Sequence, residues 1–270
     1  MRYKLLGIDL DGTLFDSRKR IGKRSQEALL AAQEQGTVLA LVSGRPLCGM
    51  EYPEEALQLR SHGGFLLGFN GGVIKECASG SIIRSALMPA GTAETLHAFV
   101  SGSGCAMLAY GEGITAADDV DDPWLRYEAR MNGFAMSQTK DFSEFSHAPV
   151  NKCLLGGEPA LIASMQEKMR AAFSGTLDFF RSEPFFLECM PKNIDKGTSL
   201  DLLASRLGIR REEVMACGDG YNDVAMLRYA GFSVAMANGQ EEAKAAADYI
   251  APSSDEDGLA DAVQRFCLGE

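Results

Sequence analysis

The feature that most constrains the fold is an apolar run near the N-terminus that ends in two aspartates, residues 5–14 (LLGIDLDGTL). An apolar run of this length predicts a strand that is covered on both faces, as in a parallel sheet. Ligands of open α/β sheets bind beyond the carboxyl ends of the strands, which is where Asp9 and Asp11 stand. Since strand residues two apart point the same way, both carboxylates can face one ligand. A simple Asp-Gly turn after a core strand is the alternative interpretation.

Two neighbouring carboxylates repel each other unless a cation joins them. Mg²⁺ suits Asp9 and Asp11, because this ion takes oxygen ligands and commonly combines one or two carboxylates with the phosphate oxygens of a substrate. A magnesium site is therefore the first functional hypothesis for this stretch.

The composition is that of a globular protein with one large or two moderate domains: 270 residues, of which 46% are hydrophobic and 23% charged. The formal net charge of −11 argues against a nucleic-acid partner, because no basic field offsets the repulsion of phosphates. The seven cysteines are scattered without zinc-type spacing, so we expect reduced, mostly buried thiols. With no secretory signal pattern and no apolar segment of membrane-spanning length, we expect a cytoplasmic protein without membrane contact.

Both ends of the chain alternate strands with helices. Beyond the first strand, elements of this pattern are predicted at residues 25–35 (helix), 37–42 (strand), 198–207 (helix), 214–217 (strand), 232–236 (strand), 241–247 (helix), 249–250 (strand) and 258–266 (helix). Residues 65–75 predict a hairpin around Asn70-Gly71-Gly72, because Asn-Gly is a strong turn signal. The two ends together predict one mostly parallel, doubly wound α/β sheet.

The middle of the chain, residues 85–187, changes character and predicts a separate α+β unit. Its predicted elements are helices at residues 92–101 and 159–173 and strands at residues 105–109, 150–155, 176–181 and 185–190. The acidic run at residues 118–122 lacks the spacing of an EF-hand and is interpreted as a solvated loop rather than a metal site. The α/β sheet is thus predicted to be interrupted by an inserted domain.

Four separated segments place complementary polar groups after predicted strands or before helices: Asp9 with Asp11, Ser43 with Gly44, Lys196, and Asp219 with Asn222 and Asp223. Phosphoryl transfer needs a nucleophile, a metal that bridges carboxylate and phosphate, a fixed cation, N–H donors and an acid for the leaving group. Each of these required groups has a candidate residue in the chain. Aspartates can form aspartyl-phosphate intermediates, and the backbone N–H groups beside Leu10, Asp11 and Ser43 could hold the anion.

Each segment also has a structural interpretation when it is taken alone. Ser43 could be a turn or cap residue, Lys196 a surface lysine before a helix, and residues 218–220 a plain turn. The joint occurrence of the four segments in this order favours the phosphoryl-transfer site.

The four segments resemble the motifs of the haloacid dehalogenase superfamily, and within it the Cof-type sugar-phosphate phosphatases that carry a large C2-type cap. The resemblance covers nearly the whole chain and rests on residues 9–14 (DLDGTL), 42–45 (VSGR), 195–197 (DKG) and 218–223 (GDGYND). It implies a Rossmann-like core formed by residues 1–84 and 188–270. Residues 85–187 would then be an inserted cap that determines substrate specificity.

The resemblance also implies roles for individual residues. Asp9 would be the nucleophile and Asp11 the general acid and then base. Asp219 would hold Mg²⁺ together with Asp9 and the backbone carbonyl of Asp11, with Asp223 in the nearby metal shell. The implied phosphate contacts are Leu10, Ser43, Gly44, Arg45, Lys196 and Asn222. For Arg45, an ordinary salt-bridged surface arginine is the alternative, and the sequence leaves open whether Asn70, also near the strand ends, contacts substrate. Because Asp11 would lie beside a charged Asp9 that a metal keeps ionised, we expect the pKa of Asp11 to be raised.

We therefore expect a Mg²⁺-dependent phosphomonoester hydrolase that acts through phospho-Asp9 on small phosphorylated metabolites, above all sugar phosphates. A phosphomutase uses the same residues, and a catalytically weak regulator that binds a phosphorylated metabolite would keep the same pocket. A pure binder, however, has no need of the Asp9–Asp11 pair, and dehalogenase chemistry has no use for Asp11 as acid and base. A monomer or homodimer is expected, with a small metabolite as its partner.

Overall fold

The structure is a computed structural model that describes residues 3–111, 113–145 and 150–269. The chain divides into two compact units: one contains Met1–Arg84 and Asp195–Glu270, and the other Ser85–Ile194. In chain order, the strands are β1 (Leu5–Ile8), β2 (Val38–Val42), β3 (Phe65–Gly68), β4 (Val73–Glu76), β5 (Ile82–Ser85), β6 (Ala106–Gly111), β7 (Ile114–Ala117), β8 (Ser137–Gln138), β9 (Val150–Gly156), β10 (Leu177–Glu183), β11 (Phe186–Pro191), β12 (Val214–Gly218), β13 (Phe232–Met236) and β14 (Tyr249–Ala251).

The predicted α-helices are present at both ends of the chain and in its middle, together with others, among them one at residues 123–132 that was not predicted. They are α1 (Lys23–Glu34), α2 (Glu51–Ala56), α3 (Leu59–His62), α4 (Thr92–Val100), α5 (Pro123–Asn132), α6 (Pro159–Phe173), α7 (Lys196–Arg206), α8 (Val224–Tyr229), α9 (Glu241–Ala246) and α10 (Gly258–Val263). None of the helices in the part of the chain that the structure describes is long and apolar enough to cross a membrane.

The first unit is built on a sheet with the strand order β14-β13-β12-β1-β2-β3-β4-β5. From β14 to β3 neighbouring strands are parallel, and β4 runs antiparallel to β3 as the second strand of the predicted hairpin. Ile8 pairs with Cys217 on one side and with Leu41 on the other. The carboxyl ends of β1, β12 and β2 therefore lie side by side, so the residues that follow these strands are brought together.

Both faces of this sheet are covered, which explains why its strands are continuously apolar. Leu6 and Ile8 of β1 point into a core cluster with Leu29 of α1 and Leu259 of α10. Leu5 points to the opposite face, into a cluster that includes residues of α7 and α8. The predicted doubly wound, mostly parallel α/β core is confirmed.

The second unit is built on a sheet with the order β10-β11-β9-β6-β7-β8, in which all neighbours except β7 and β8 are antiparallel. Residues of α4 and α6 pack on one face of it around Met107, Leu155 and Leu187. The unit extends to Ile194 because β11 pairs with both β9 and β10. The predicted boundary after residue 187 is therefore wrong in position, since it cuts through β11.

The acidic run at residues 118–122 has a structural task in the second unit. Asp122 accepts hydrogen bonds from the backbone N–H groups of Trp124 and Leu125 and so caps the N-terminus of α5. Asp118 accepts one from the N–H of Met107 at 2.8 Å. These carboxylates thus bind backbone groups of their own unit.

The cysteines are free thiols, and five of them are buried: Cys77, Cys153, Cys189, Cys217 and Cys267. Burial raises the pKa of Cys153 to about 12, so this thiol stays protonated and unreactive at neutral pH.

Candidate active site

Lys196 joins two carboxylates at the carboxyl ends of the central strands. Its Nζ lies 2.6 Å from Oδ1 of Asp9, which follows β1, and 2.5 Å from Oδ1 of Asp223, which lies in a 3₁₀ turn after β12. The lysine is the first residue of α7 because the side chain of Asp195 accepts a hydrogen bond from the N–H of Thr198 and caps the helix. Lys196 is fully buried, so the interpretation of it as a surface lysine is wrong.

The protonation states of this group follow from burial and charge. Burial acts to lower the pKa of Lys196, but the charges of Asp223 and Asp9 outweigh it and raise the pKa above its usual range. Burial is also the largest influence on Asp9, whose pKa it raises, and the neighbouring Asp223 raises it further; Lys196 offsets only part of this. The ionised form of Asp9 is therefore disfavoured unless a further positive charge lies beside it.

Asp219 adds a third carboxylate beside Asp9. Thr13 donates a hydrogen bond from its hydroxyl to Oδ1 of Asp219 at 3.2 Å. The chain passes Asp219 so closely at Gly12, where φ is +88°, that a Cβ atom there would lie 2.3 Å from Oδ2. Burial, followed by the charge of Asp223, raises the pKa of Asp219 to about 6.

The three carboxylates fit a divalent cation. Asp9, Asp219 and Asp223 each offer an oxygen within 4.8 Å of the others. Three carboxylate charges against the single charge of Lys196 leave an excess of two, and a site made only of oxygen donors suits Mg²⁺. Asp9 and Asp219 are the better donors, because Asp223 already accepts hydrogen bonds at Oδ2 from the N–H groups of Asp219 and Gly220. A direct metal contact of Asp223 stays a prediction.

Asp11 is paired with two cations, Arg45 and Lys19. Arg45 binds both of its oxygens, at 2.7 Å from Nε and 2.6 Å from Nη2, and Lys19 binds Oδ1 at 2.7 Å. Burial acts to raise the pKa of Asp11, but the hydrogen bonds and charges of Arg45 and Lys19 outweigh it, and the pKa is lowered. The expectation of a raised pKa was wrong, because the sequence does not show that two cations meet this carboxylate.

The turn after β2 brings two further predicted residues to the same edge of the sheet. Ser43 is buried; its N–H binds the carbonyl of Leu67 and its hydroxyl accepts a hydrogen bond from the N–H of Arg45 at 3.2 Å. Gly44 is next in the chain and is partly exposed. Leu10 is fully buried, so any contact it makes to phosphate would come from its backbone.

Asn222 is joined to Asn70, for which the sequence left open a contact with substrate. Its Nδ2 donates to Oδ1 of Asn70 at 3.0 Å, which links the turn after β12 to the turn after β3. The structure thus brings all the predicted site residues to the carboxyl edge of the first unit's sheet.

The chain matches the family described as haloacid dehalogenase-like hydrolase over residues 6–263. It belongs to that family. A protein of Streptococcus pyogenes that is provisionally named a phosphatase is 30% identical over 269 residues, which cover 99% of this chain and all of that protein. The crystal structure of a haloacid dehalogenase-like hydrolase from Bacteroides thetaiotaomicron is 40% identical with a TM-score of 0.92, and the match covers 97% of this chain and 99% of the other.

A structure described as a sugar phosphatase of HAD subclass IIB is also similar to this hydrolase. The two share 27% identity with a TM-score of 0.84, over 97% of this chain and 98% of the other. Family membership and these relatives establish the enzyme class: this hydrolase is a phosphatase of the haloacid dehalogenase type.

Two contacts of the hydrolase's site were missed at the sequence level, those of Lys19 and Asn70. For Asn70, which lies near the strand ends at the ligand-binding edge, the sequence left open a contact with substrate and did not indicate the contact with Asn222. Lys19 adopts a left-handed conformation with φ of 58°, and no pattern in the sequence indicates that the loop after β1 folds back to Asp11.

Proposed function

We propose that the protein is a Mg²⁺-dependent phosphomonoesterase that acts through a phospho-Asp9 intermediate on small phosphorylated metabolites, above all sugar phosphates. The observation that carries this proposal is the contact of Lys196 with both Asp9 and Asp223, with Asp219 beside them. A nucleophilic carboxylate, a fixed cation and a set of oxygen donors are the groups that phosphoryl transfer requires.

The proposed reaction proceeds in two steps. An oxygen of Asp9 attacks the phosphorus while the ester bond to the leaving oxygen breaks, and Asp11 supplies the proton that this oxygen takes up. Water then attacks the phosphorus of phospho-Asp9, Asp11 accepts its proton, and inorganic phosphate leaves with the Asp9 carboxylate restored. Lys196 holds Asp9 in place throughout. A Mg²⁺ ion held by Asp9 and Asp219 would neutralise phosphoryl charge.

Arg45 connects substrate binding with the protonation of Asp11. With Arg45 and Lys19 bound, Asp11 is a carboxylate, which is the form needed as base in the second step. A phosphoryl group would compete with Asp11 for the Arg45 guanidinium, because both are oxyanions that fit its planar fork. Release of Asp11 from Arg45 would favour the protonated form that the first step requires.

The choice of substrate rests on the second unit in this proposal. The similarity to a sugar phosphatase supports sugar phosphates as the substrate class. We propose that Ser85–Ile194 acts as the cap that contacts the part of the metabolite that does not react, where binding energy can be converted to rate. A cytoplasmic location and a monomer or homodimer are part of the same proposal.

A hydrolysis screen tests the proposal. Phosphorylated sugars, nucleotides and cofactors are incubated with the enzyme in Mg²⁺ or in EDTA, and released phosphate is measured. Release that requires Mg²⁺, with a phosphoenzyme trapped by acid quench, is expected. A phosphomutase would instead return an isomeric phosphate ester without release of phosphate, and a regulator would bind metabolite with neither product. No phosphoenzyme in active preparations would contradict the role of Asp9.

A further inference from the structure

The turn between β3 and β4 supports the segment that carries Ser43 and Arg45. The N–H of Asn70 donates to the carbonyl of Ser43 at 2.8 Å, and the N–H of Phe69 donates to the carbonyl of Arg45 at 2.9 Å. The Asn70 carboxamide also lies against Gly44, since a Cβ atom on this glycine would be 3.5 Å from Asn70 Oδ1. Two successive residues of one turn therefore fix the backbone on which predicted phosphate contacts stand.

The same turn reaches two other parts of the site. Ser199 of α7, one turn after Lys196, donates its hydroxyl to the carbonyl of Gly71 at 3.1 Å. Asn222 donates its side-chain Nδ2 to Oδ1 of Asn70 at 3.0 Å. The turn at Phe69–Gly71 thus contacts two of the four segments that form the site, and also the helix that begins at Lys196.

The backbone of this turn is held in an unfavourable conformation. Phe69, Asn70 and Gly71 have φ values of 51°, 55° and 89°, which are all left-handed. This region is costly for a bulky residue such as phenylalanine and more tolerable for asparagine. Strained backbone of this kind persists where the surroundings over-determine it, and it clusters at active sites. In this conformation the Asn70 carboxamide accepts the hydrogen bond from Asn222.

We propose that Asn70 is a positioning residue of the phosphate site. Its side-chain carbonyl fixes the Asn222 carboxamide, and its backbone N–H fixes the Ser43–Gly44 turn, so that these donors are oriented before a phosphoryl group binds. The ligand class is a phosphate dianion, and the inference rests on the proposed function of the site. Without Asn70, Asn222 is an exposed side chain that must be ordered at the moment of binding, which weakens affinity.

The test is a double-mutant cycle on phosphate affinity. Asn70→Gly removes the carboxamide but keeps a residue that tolerates the left-handed backbone, so folding is preserved. Asn222→Ala removes the positioned group. Binding of inorganic phosphate in Mg²⁺ is measured by calorimetry for the wild type, both single variants and the double variant. Gln58→Gly, at another left-handed residue with φ of 51°, is the matched control.

Asn70→Gly is expected to weaken phosphate binding about tenfold, which corresponds to the loss of one well-placed hydrogen bond. The double variant should lose no more than Asn222→Ala alone, because the two residues act through one another. Gln58→Gly should bind like the wild type, and melting temperatures should show that all variants are folded.

Unchanged affinity in Asn70→Gly, or losses that multiply in the double variant, would overturn the positioning role. A wild type that does not bind phosphate would overturn it too. Calorimetry does not depend on turnover, so a wild type that binds phosphate but hydrolyses no ester would contradict the proposed function and still decide the role of Asn70.

Discussion

The guanidinium of Arg45 binds both carboxylate oxygens of Asp11, with Nε 2.7 Å from Oδ2 and Nη2 2.6 Å from Oδ1. The predicted general acid and a predicted phosphate contact therefore restrain each other. The planar guanidinium of Arg45 also suits a phosphoryl group, so a substrate that binds Arg45 must alter its contacts with Asp11. In the proposed mechanism, substrate binding at Arg45 would therefore change the protonation of Asp11.

Arg45→Lys should lower kcat/KM about tenfold or more, because lysine keeps the charge but cannot bind two oxygens in parallel. Steady-state kinetics on the best substrate of the screen would measure this. Lys19→Ala is the matched control, since Lys19 binds only one Asp11 oxygen and its side chain is half exposed. Unchanged kcat/KM in Arg45→Lys would mean that a positive charge near Asp11 suffices and the bidentate geometry does not matter.

Asp9→Asn should abolish turnover and leave the fold intact or more stable. The substitution removes the nucleophile, and it also removes a buried carboxylate charge that lies beside Asp223 and Asp219. Melting temperature in EDTA is expected to equal or exceed that of the wild type. Residual activity above about a hundredth of the wild-type kcat would contradict the nucleophile assignment, since removal of a nucleophile causes far larger losses.

Lys196→Met should destabilise the protein by about 3–5 kcal/mol, because it leaves Asp9 and Asp223 without their shared cation in a buried site. Urea unfolding in EDTA would measure this loss. Adding Asp223→Asn to the variant should restore part of the stability, as one uncompensated charge is then gone. A double variant that is less stable than Lys196→Met alone would show that repulsion is not the cause.

The apparent Mg²⁺ affinity should fall as the pH drops below about 6. Burial and the charge of Asp223 raise the pKa of Asp219 to about 6, so below this pH a proton occupies the carboxylate that the cation needs. Half-saturating Mg²⁺ concentrations, from thermal shift or activity across this range, would test it. Asp219→Asn should bind Mg²⁺ more weakly throughout, and a flat wild-type profile would remove Asp219 from the metal site.

Replacement of Ser85–Ile194 by a short Gly/Ser linker should leave a folded first unit with poor discrimination between substrates. The boundary lies at Ile194 so that β11 is removed together with its partners. For a preferred sugar phosphate, kcat/KM should fall about a hundredfold or more, and for a small aryl phosphate much less, because only the former uses contacts to the second unit. Equal losses for both substrates in a core that circular dichroism shows to be folded would contradict the specificity role.

The sequence by itself determined the alternation of strands and helices, the insertion in the middle and the position of the site residues along the chain. Apolar runs such as that of β1 are local signals, and in parallel strands they indicate burial on both faces. Because ligands bind at the carboxyl ends of such strands, Asp9, Ser43 and Asp219 could be assigned to one edge before any distance was known. The inserted unit was recognised because its predicted elements depart from the strand–helix alternation at the two ends of the chain. Its C-terminal boundary was misplaced because the pairing of β11 with other strands is not a local property of the sequence.

Only the tertiary structure decided which charges meet. Lys196 is separated from Asp9 by 187 positions and Arg45 from Asp11 by 34, so no periodicity in the sequence could pair them. The pairing reversed the expected order of acidity: Asp11 gained two cations, whereas Asp9 is buried among carboxylates and shares one lysine. Electrostatic energies depend on distance and burial, and both arise from the packing of segments far apart in the chain. The sequence therefore indicates which residues form the site, whereas their protonation states depend on the fold.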